Sequence, residues 1–358
     1  MNVIQLPISK SIANRLLILQ AMRGLPLMDV SAADIPDDVR IIHDAVLAIN
    51  RSRKEKNVVL DLDNSGTALR FITAYASQLK GTNVVIDGCE RLRHRPIRQL
   101  VQILISCGAD IWYEKEIGFP PLRIRGRQLT PPIHDSNLSG SLFVRNPVST
   151  QYVSALLLIG MTASSDIDSP YIRLTRSMLA GPLPAPADIE PDWSAAAFWY
   201  EYIAIHGGCL LLKGLREDSL QADRVVASLF RRFGVSTVFT PEGAVISRDA
   251  APKRWLPMVV NFKPCPDLYP VVALTAKMLR IPLIAFGTDT LRYKESDRLQ
   301  AIKVNCSLSH DSIAQSFGDH RVAMAMLAAD FECDDIACIN KSYPRFCEQL
   351  QQLKLNSI

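Results

Sequence analysis

Basic side chains stand beside small or hydroxyl residues at several separated places in this chain, a pairing suited to phosphate and carboxylate groups. Near the beginning is Pro7-Ile8-Ser9-Lys10-Ser11-Ile12-Ala13-Asn14-Arg15. Here Lys10 is read as ending a short strand and Ser11 as capping the helix that follows, with Arg15 one turn further on the same side. Asn64-Ser65-Gly66-Thr67-Ala68-Leu69-Arg70 is a glycine-containing turn entering a helix whose first N–H groups could hold an anion. Arg91-Leu92-Arg93-His94-Arg95-Pro96 places a dense basic cluster at another helix start. Each alone also reads as exposed charge. Their recurrence argues against that, because base is normally favoured at the opposite end of a helix.

Val148-Ser149-Thr150-Gln151-Tyr152-Val153 offers two hydroxyls and an amide at the entry to an apolar helix, suited to a neutral or phosphorylated polyol. Further on, Lys294-Glu295-Ser296-Asp297-Arg298, Gly318-Asp319-His320-Arg321 and Lys341-Ser342-Tyr343-Pro344 set cations beside carboxylates and hydroxyls. Read alone, Asp267 after Pro266 could cap a helix, and Glu295 could simply pair with Lys294 or Arg298. His320 has no partner ligands at metal spacing, so it is read as supporting the site through hydrogen bonds.

The elements that position these residues repeat. From Arg95, Ile97, Leu100, Val101 and Leu104 follow helical spacing, Gly108 stops the helix, and 109–113 and 121–124 read as strands. From Asp223 the plan recurs: Val225, Val226, Leu229, Phe230 and Phe233 on one helix face, then Gly234, then strands at 236–239 and 244–247. Helices opened by Asp37-Asp38-Val39-Arg40 and by Glu295-Ser296-Asp297-Arg298 lack the two-strand tail. Mixed α/β units that cannot bury their own faces assemble around shared helices, with a solenoid as the competing reading. The proline-rich Gly181-Pro182-Leu183-Pro184-Ala185-Pro186 marks a boundary near residue 190.

A length of 358 residues suits two domains. A net charge of +4 from 40 Lys and Arg against 36 Asp and Glu is too small for a nucleic-acid footprint, although convergence on one site would still draw anions. The densest basic run, Arg51-Ser52-Arg53-Lys54-Glu55-Lys56, reads as a solvated loop. The eight cysteines show no metal spacing and are expected to be reduced and mostly buried. No leader-like start and no membrane-length apolar run is evident, so a cytoplasmic protein without membrane or nucleic-acid partners is expected.

Taken in order from Pro7-Ile8-Ser9-Lys10-Ser11 to Lys341-Ser342-Tyr343-Pro344, these segments resemble the 5-enolpyruvylshikimate-3-phosphate synthases, the 3-phosphoshikimate 1-carboxyvinyltransferase family. Pro120-Pro121-Leu122-Arg123-Ile124, Glu190-Pro191-Asp192-Trp193-Ser194 and Leu220-Gln221-Ala222-Asp223 are further landmarks. The resemblance implies an α/β (α+β) enolpyruvyl transferase fold of two domains, each built from βαβαββ units about a pseudo-threefold axis. One domain would comprise 1–9 plus 191–358 and the other 10–190, with the active site in the cleft between them. It implies transfer of the carboxyvinyl group of phosphoenolpyruvate to the 5-hydroxyl of shikimate 3-phosphate, on the route to chorismate and aromatic amino acids. No metal or organic cofactor is implied, and a monomer is expected.

By the same resemblance Lys10, Ser11, Arg15, Ser149, Thr150, Gln151, Ser169, Asp267, Thr290 and Lys294 would surround shikimate 3-phosphate. Phosphoenolpyruvate would meet Lys10, Gly66, Arg70, Arg95, Gln151, Arg298, Arg321 and Lys341. Asp267 would accept a proton, Glu295 would transfer one at carbon, and Lys10 would join them in catalysis. Thr290 replaces the usual Asn, and Ser169-Pro170-Tyr171 lacks the usual basic residue after the serine. The chain is also shorter than family members, with the losses internal: after residues 15, 178 and 304 the expected strand pairs are missing or reduced. Those losses keep a catalytically impaired remnant, acting as a binding or structural protein, as a rival. A UDP-N-acetylglucosamine enolpyruvyl transferase is another, fitting the Ser65-Gly66-Thr67-Ala68 and Lys294 to Arg298 motifs less well.

Overall fold

The computed structural model describes residues 1–52, 58–130, 141–251, 256–309 and 312–355. The basic run Arg53-Lys54-Glu55-Lys56 lies outside the described residues. The chain divides into two compact units: Met1–Lys10, Ser31–Asp37 and Ile189–Ile358 form the first, and Ser11–Val30 with Asp38–Asp188 form the second.

Each unit contains one complete βαβαββ repeat. In the first, Asn2–Ile4 pairs parallel with Cys209–Lys213, which pairs antiparallel with Gly243–Arg248, itself antiparallel to Val235–Thr240. In the second, Val58–Asp61, Asn83–Asp87, Leu122–Arg125 and Asp110–Tyr113 follow the same order and directions. The alternation expected of half-buried strands is plain in Asn83–Asp87, where Val84 and Ile86 are fully buried between less buried neighbours. Burying such a side chain contributes about 1.5–3 kcal/mol.

A second repeat in each unit keeps only its parallel pair: Met258–Asn261 with Leu283–Phe286, and Ser141–Val144 with Thr162–Ser165. A helix follows each pair, Arg298–Asn305 and Pro170–Ala180, with no antiparallel tail among the described residues. The remainder is helical: Lys10–Met22 and Asp37–Ser52 in one place, His320–Ala328 and Phe346–Leu355 in the other. Among the described residues the structure thus has fewer strands where the segments after residues 15, 178 and 304 were expected to be short, and in two of the repeats the parallel pair survives. In the first unit the helices Trp193–His206, Tyr269–Met278 and His320–Ala328 each touch the other two. Trp193, Phe198, Trp199, Val271 and Val322, all fully buried, fill the space between and around them.

Five local expectations need correction. Arg91 and Arg93 lie in the last turn of helix Glu90–Arg93 and the next helix begins only at Arg98, so the basic cluster does not open a helix. The first helix begins at Lys10 itself, so Ser11 lies inside it and does not cap it, and the strand before it ends at Ile4. Glu295 does not open a helix: Asp297 caps Arg298–Asn305 by accepting from Gln300 N. The helix from Asp223 is broken into two 3-10 turns, Ala222–Val225 and Phe230–Phe233, around a single α-turn. Asp223 and Val226, like Phe230 and Phe233, are buried at a spacing of three residues, which eclipses on a 3-10 turn. Of the cysteines only Cys107 and Cys265 are buried, while Cys89 and Cys209 are exposed.

Candidate active site

The site residues fall into two constellations, one within each unit. In the first, Asp267 stands on the 3-10 turn Pro266–Leu268. Its Oδ1 accepts from Arg298 at 2.6 Å and from Lys294 at 3.2 Å, and its Oδ2 lies 3.1 Å from the Arg321 guanidinium. Arg298, 1% exposed, also donates to Glu295 Oε2 at 2.6 Å and to Asp319 Oδ2 at 2.8 Å. One guanidinium therefore joins Asp267, Glu295 and Asp319. Asp319 is itself fully buried, accepts from Ser296 and caps helix His320–Ala328 through Arg321 N.

Burial alone would raise the Asp267 carboxyl, but Arg321, Lys294 and Arg298 outweigh it and hold the group well below the usual range. Burial opposes the charge of Arg298, yet Asp319, Glu295 and Asp267 together raise its pKa. Asp223, on the 3-10 turn Ala222–Val225, is pushed up to about 6 by burial and by the neighbouring Asp267 charge, against the pull of Arg321. Its hydroxyl donor is Ser194. The His320 imidazole is fully buried with neither ring nitrogen hydrogen-bonded among the described residues, contrary to the supporting hydrogen bonds expected of it, and burial together with the Lys10 and Arg321 charges holds it well below its usual pKa, so it is neutral. Lys10 is thereby placed within electrostatic reach of this group. Lys341 ends the 3-10 turn Ala337–Lys341, which packs on helix His320–Ala328. Thr290, in the turn Asp289–Tyr293, is not hydrogen-bonded to the other site residues among those described.

In the second unit Ser65 caps helix Gly66–Gln78 by accepting from Ala68 N. Arg70, one turn on, folds back so that NH1 donates to Gly66 O at 2.7 Å and to Gln151 Oε1 at 3.2 Å, with its guanidinium over Tyr152. Gln151 donates to Thr67, and Arg95 NH2 donates to Asn64 Oδ1 at 3.3 Å. A Cβ on Gly66 would lie 2.3 Å from Arg95 NH1 and 2.7 Å from Arg70 NH1. The glycine is what lets the two guanidinium groups converge.

Beside them, Arg15 is 1% exposed and touches neutral oxygens: Thr175 Oγ1 at 2.7 Å, Ser11 O at 2.8 Å, and Ser154 Oγ and Tyr171 O at 3.3 Å. Burial lowers its pKa to about 10, leaving it charged at neutral pH. Ser169 caps helix Pro170–Ala180 and donates to Thr150, and Ser149 accepts from Gln151 N. So the structure brings together Gly66, Arg70, Arg95 and Gln151, while Arg15 holds Ser11 O on its own helix and, through Thr175 and Ser154, the two helices that begin beside Ser169 and Thr150. Sequence reading assigned no role to Asp319, Asp223, Asn64, Thr67, Ser154 or Thr175. Asp319, Asp223, Asn64 and Thr67 stood in segments already singled out, whereas nothing around Thr175 could have flagged it.

Among the described residues no helix is long and apolar enough to cross a membrane, and no group of His, Cys, Asp or Glu is arranged to hold a metal ion. The profile of the family described as EPSP synthase (3-phosphoshikimate 1-carboxyvinyltransferase) matches residues 2–182 and 180–350. A protein of Bacteroides fragilis named 3-phosphoshikimate 1-carboxyvinyltransferase is 32% identical over 405 aligned residues, covering 98% of this chain and 94% of that relative. One of the same name from Methanospirillum hungatei is 28% identical, covering 98% and 96%. The fold is similar to that of an EPSP synthase structure from Acinetobacter baumannii, with a TM-score of 0.67 at 18% identity over 98% of this chain and 95% of that one. With that family's profile accounting for nearly its whole length, the chain belongs to the EPSP synthase family.

Proposed function

We propose that this chain transfers the enolpyruvyl group of phosphoenolpyruvate to the 5-hydroxyl of shikimate 3-phosphate, releasing phosphate, as a transferase of the shikimate pathway. The observation that carries the reading is the attachment of Asp267 and Glu295 to the same Arg298, with Lys294 and Arg321 on Asp267. The reaction forms a bond from the acceptor oxygen to C2 of phosphoenolpyruvate and breaks the bond from C2 to the phosphate oxygen. It needs a base for the hydroxyl proton, a group to give a proton to the methylene carbon and take one back, and cations for the departing phosphate. Asp267 serves as the first, Glu295 as the second, and Lys10 with the arginines as the third.

The depressed Asp267 pKa makes it a weak base in the empty site. Two polyanionic substrates would engage Arg321, Lys294 and Arg298 and loosen their hold, raising its basicity when it is needed. The same incoming charge would favour the protonated form of Glu295.

Shikimate 3-phosphate is assigned to Lys10, Ser11, Arg15, Ser149, Thr150, Gln151, Ser169, Asp267, Thr290 and Lys294. Phosphoenolpyruvate is assigned to Lys10, Gly66, Arg70, Arg95, Gln151, Arg298, Arg321 and Lys341. Arginine forks suit both its carboxylate and its phosphate. The reading also makes the protein a cytoplasmic monomer, checked by cell fractionation and light scattering. The activity is tested by mass spectrometry of the product and by phosphate release from purified protein. Product and phosphate should form in equal amounts with shikimate 3-phosphate as acceptor and not with UDP-N-acetylglucosamine. Release with neither acceptor would leave the impaired-remnant reading standing.

A further inference from the structure

Lys10 is the first residue of its helix, and the backbone leading into it is held in an unusually complete way. Ser9 N donates to Glu190 O at 2.7 Å, Asp192 N donates to Pro7 O at 2.9 Å, and Ile8 forms an antiparallel bridge with Pro191. Lys10 N donates to Asp192 Oδ2 at 3.0 Å, while Oδ1 of the same carboxylate caps helix Trp193–His206 through Ala195 N at 3.0 Å. The buried amide of Gln221 completes the junction. Its Oε1 accepts from Ser9 Oγ at 2.8 Å and from Trp193 N at 3.1 Å. Its Nε2 donates to Pro191 O at 2.8 Å and to Glu190 Oε2 at 3.0 Å. Two lone pairs and two N–H groups are all an amide side chain has, and all four are used.

We propose that Gln221 is a positioning residue for Lys10: its amide fixes the backbone at Ser9 and so sets where the Lys10 ammonium stands. The inference rests on the reading that Lys10 acts in the reaction. Three features favour positioning over mere packing. Gln221 binds four groups on the two segments that flank Lys10 and Asp192, and Ser9, its partner, is fully buried next to Lys10. Rotation of the amide by half a turn would set donor against donor at Trp193 N and acceptor against acceptor at Pro191 O, so one orientation is specified. Finally, Gln221 stands two residues before Asp223, whose carboxyl senses Asp267 and Arg321.

The test is a double-mutant cycle on the full chain with Gln221→Ala, Lys10→Met and the pair, reading kcat, KM and the calorimetric affinity for shikimate 3-phosphate. Gln221→Ala is expected to lower kcat on the order of 10- to 100-fold, the scale of a small misplacement of a reacting group. In the Lys10→Met background the same change should cost no more than about twofold in any of these readouts, because its route of action is gone. An equal loss in both backgrounds, or a kcat within about twofold of the parent for Gln221→Ala alone, would overturn the proposal. Should Gln221→Ala fail to fold, Ser9→Ala removes a single bond of the junction and must show the same non-additivity with Lys10→Met. Full activity in Lys10→Met would instead remove the role of Lys10, a distinct failure that also overturns this inference.

Discussion

Arg298 and Arg15 are each 1% exposed, one in the unit that carries both termini and one in the other, yet they meet the cost of burial in opposite ways. Arg298 is ringed by the carboxylates of Asp267, Glu295 and Asp319, which raise its pKa. Arg15 makes its hydrogen bonds to Thr175, Ser154 and the carbonyls of Ser11 and Tyr171, and its pKa falls to about 10. A guanidinium among carboxylates organises groups that exchange protons. A guanidinium among hydroxyls and carbonyls keeps its positive field for an incoming anion. Under the proposed function, proton handling belongs to the first constellation, whereas both hold anions and the second does so without joining in proton transfer.

The largest effect expected on that contrast comes from Asp319→Ala. It removes at once a fully buried partner of Arg298, the acceptor of Ser296 and the cap of helix His320–Ala328, and should destabilise the protein by about 3–5 kcal/mol in urea unfolding. A loss under about 1 kcal/mol, the level of an exposed pair, would show that Asp267 and Glu295 suffice without it.

Asp223 gives the next effect through pH. Its pKa is raised from 3.8 to about 6 on folding, so the folded state holds the proton more tightly than the unfolded chain. Its contribution to stability is therefore full below 3.8 and is lost as pH rises to about 6. Asp223→Asn should become progressively more favourable relative to the parent as pH rises through that window. A difference independent of pH would mean that neither burial nor the Asp267 charge raises this carboxyl on folding.

Thr175→Val is the mirror experiment in the other constellation. It deprives Arg15 Nε of its acceptor without leaving a charge unpaired, and should cost about 1–3 kcal/mol. A cost as large as that of Asp319→Ala would erase the distinction. The smallest effect is that of Gly66→Ala. The new methyl group would meet the mobile ends of Arg95 and Arg70, which can shift, so folding should survive while KM for phosphoenolpyruvate rises roughly tenfold. An unchanged KM would place that substrate elsewhere.

Much of this was legible in the sequence because it is local. Gly108 announces the end of its helix and the two strands beyond it, the turn at Gly66 announces the helix that follows, and the motifs around Gly66, Arg95, Glu295 and Arg321 mark the basic groups. What escaped is set by contacts distant in the chain. That Lys10 begins its helix depends on Asp192, and that Arg298 is neutralised depends on Asp319 and Asp267. The Asp223 helix breaks into 3-10 turns because Phe230 and Phe233 pack ring to ring at 4.9 Å in the core, overriding an α-helical pattern that was sound on its own terms. The missing strand pairs were visible as short spacing between motifs, whereas the survival of the parallel pairs required the structure.

The division of labour is tested most directly by comparing Asp267→Asn with Arg95→Ala in phosphoenolpyruvate affinity and in single-turnover phosphate release, both with shikimate 3-phosphate bound. The account predicts that Asp267→Asn keeps affinity but slows release by about 10²- to 10⁴-fold. Arg95→Ala should instead lose about 2–5 kcal/mol of affinity and recover much of its release rate at saturating phosphoenolpyruvate. Matching losses of affinity in both variants, with release restored in both at saturation, would contradict it.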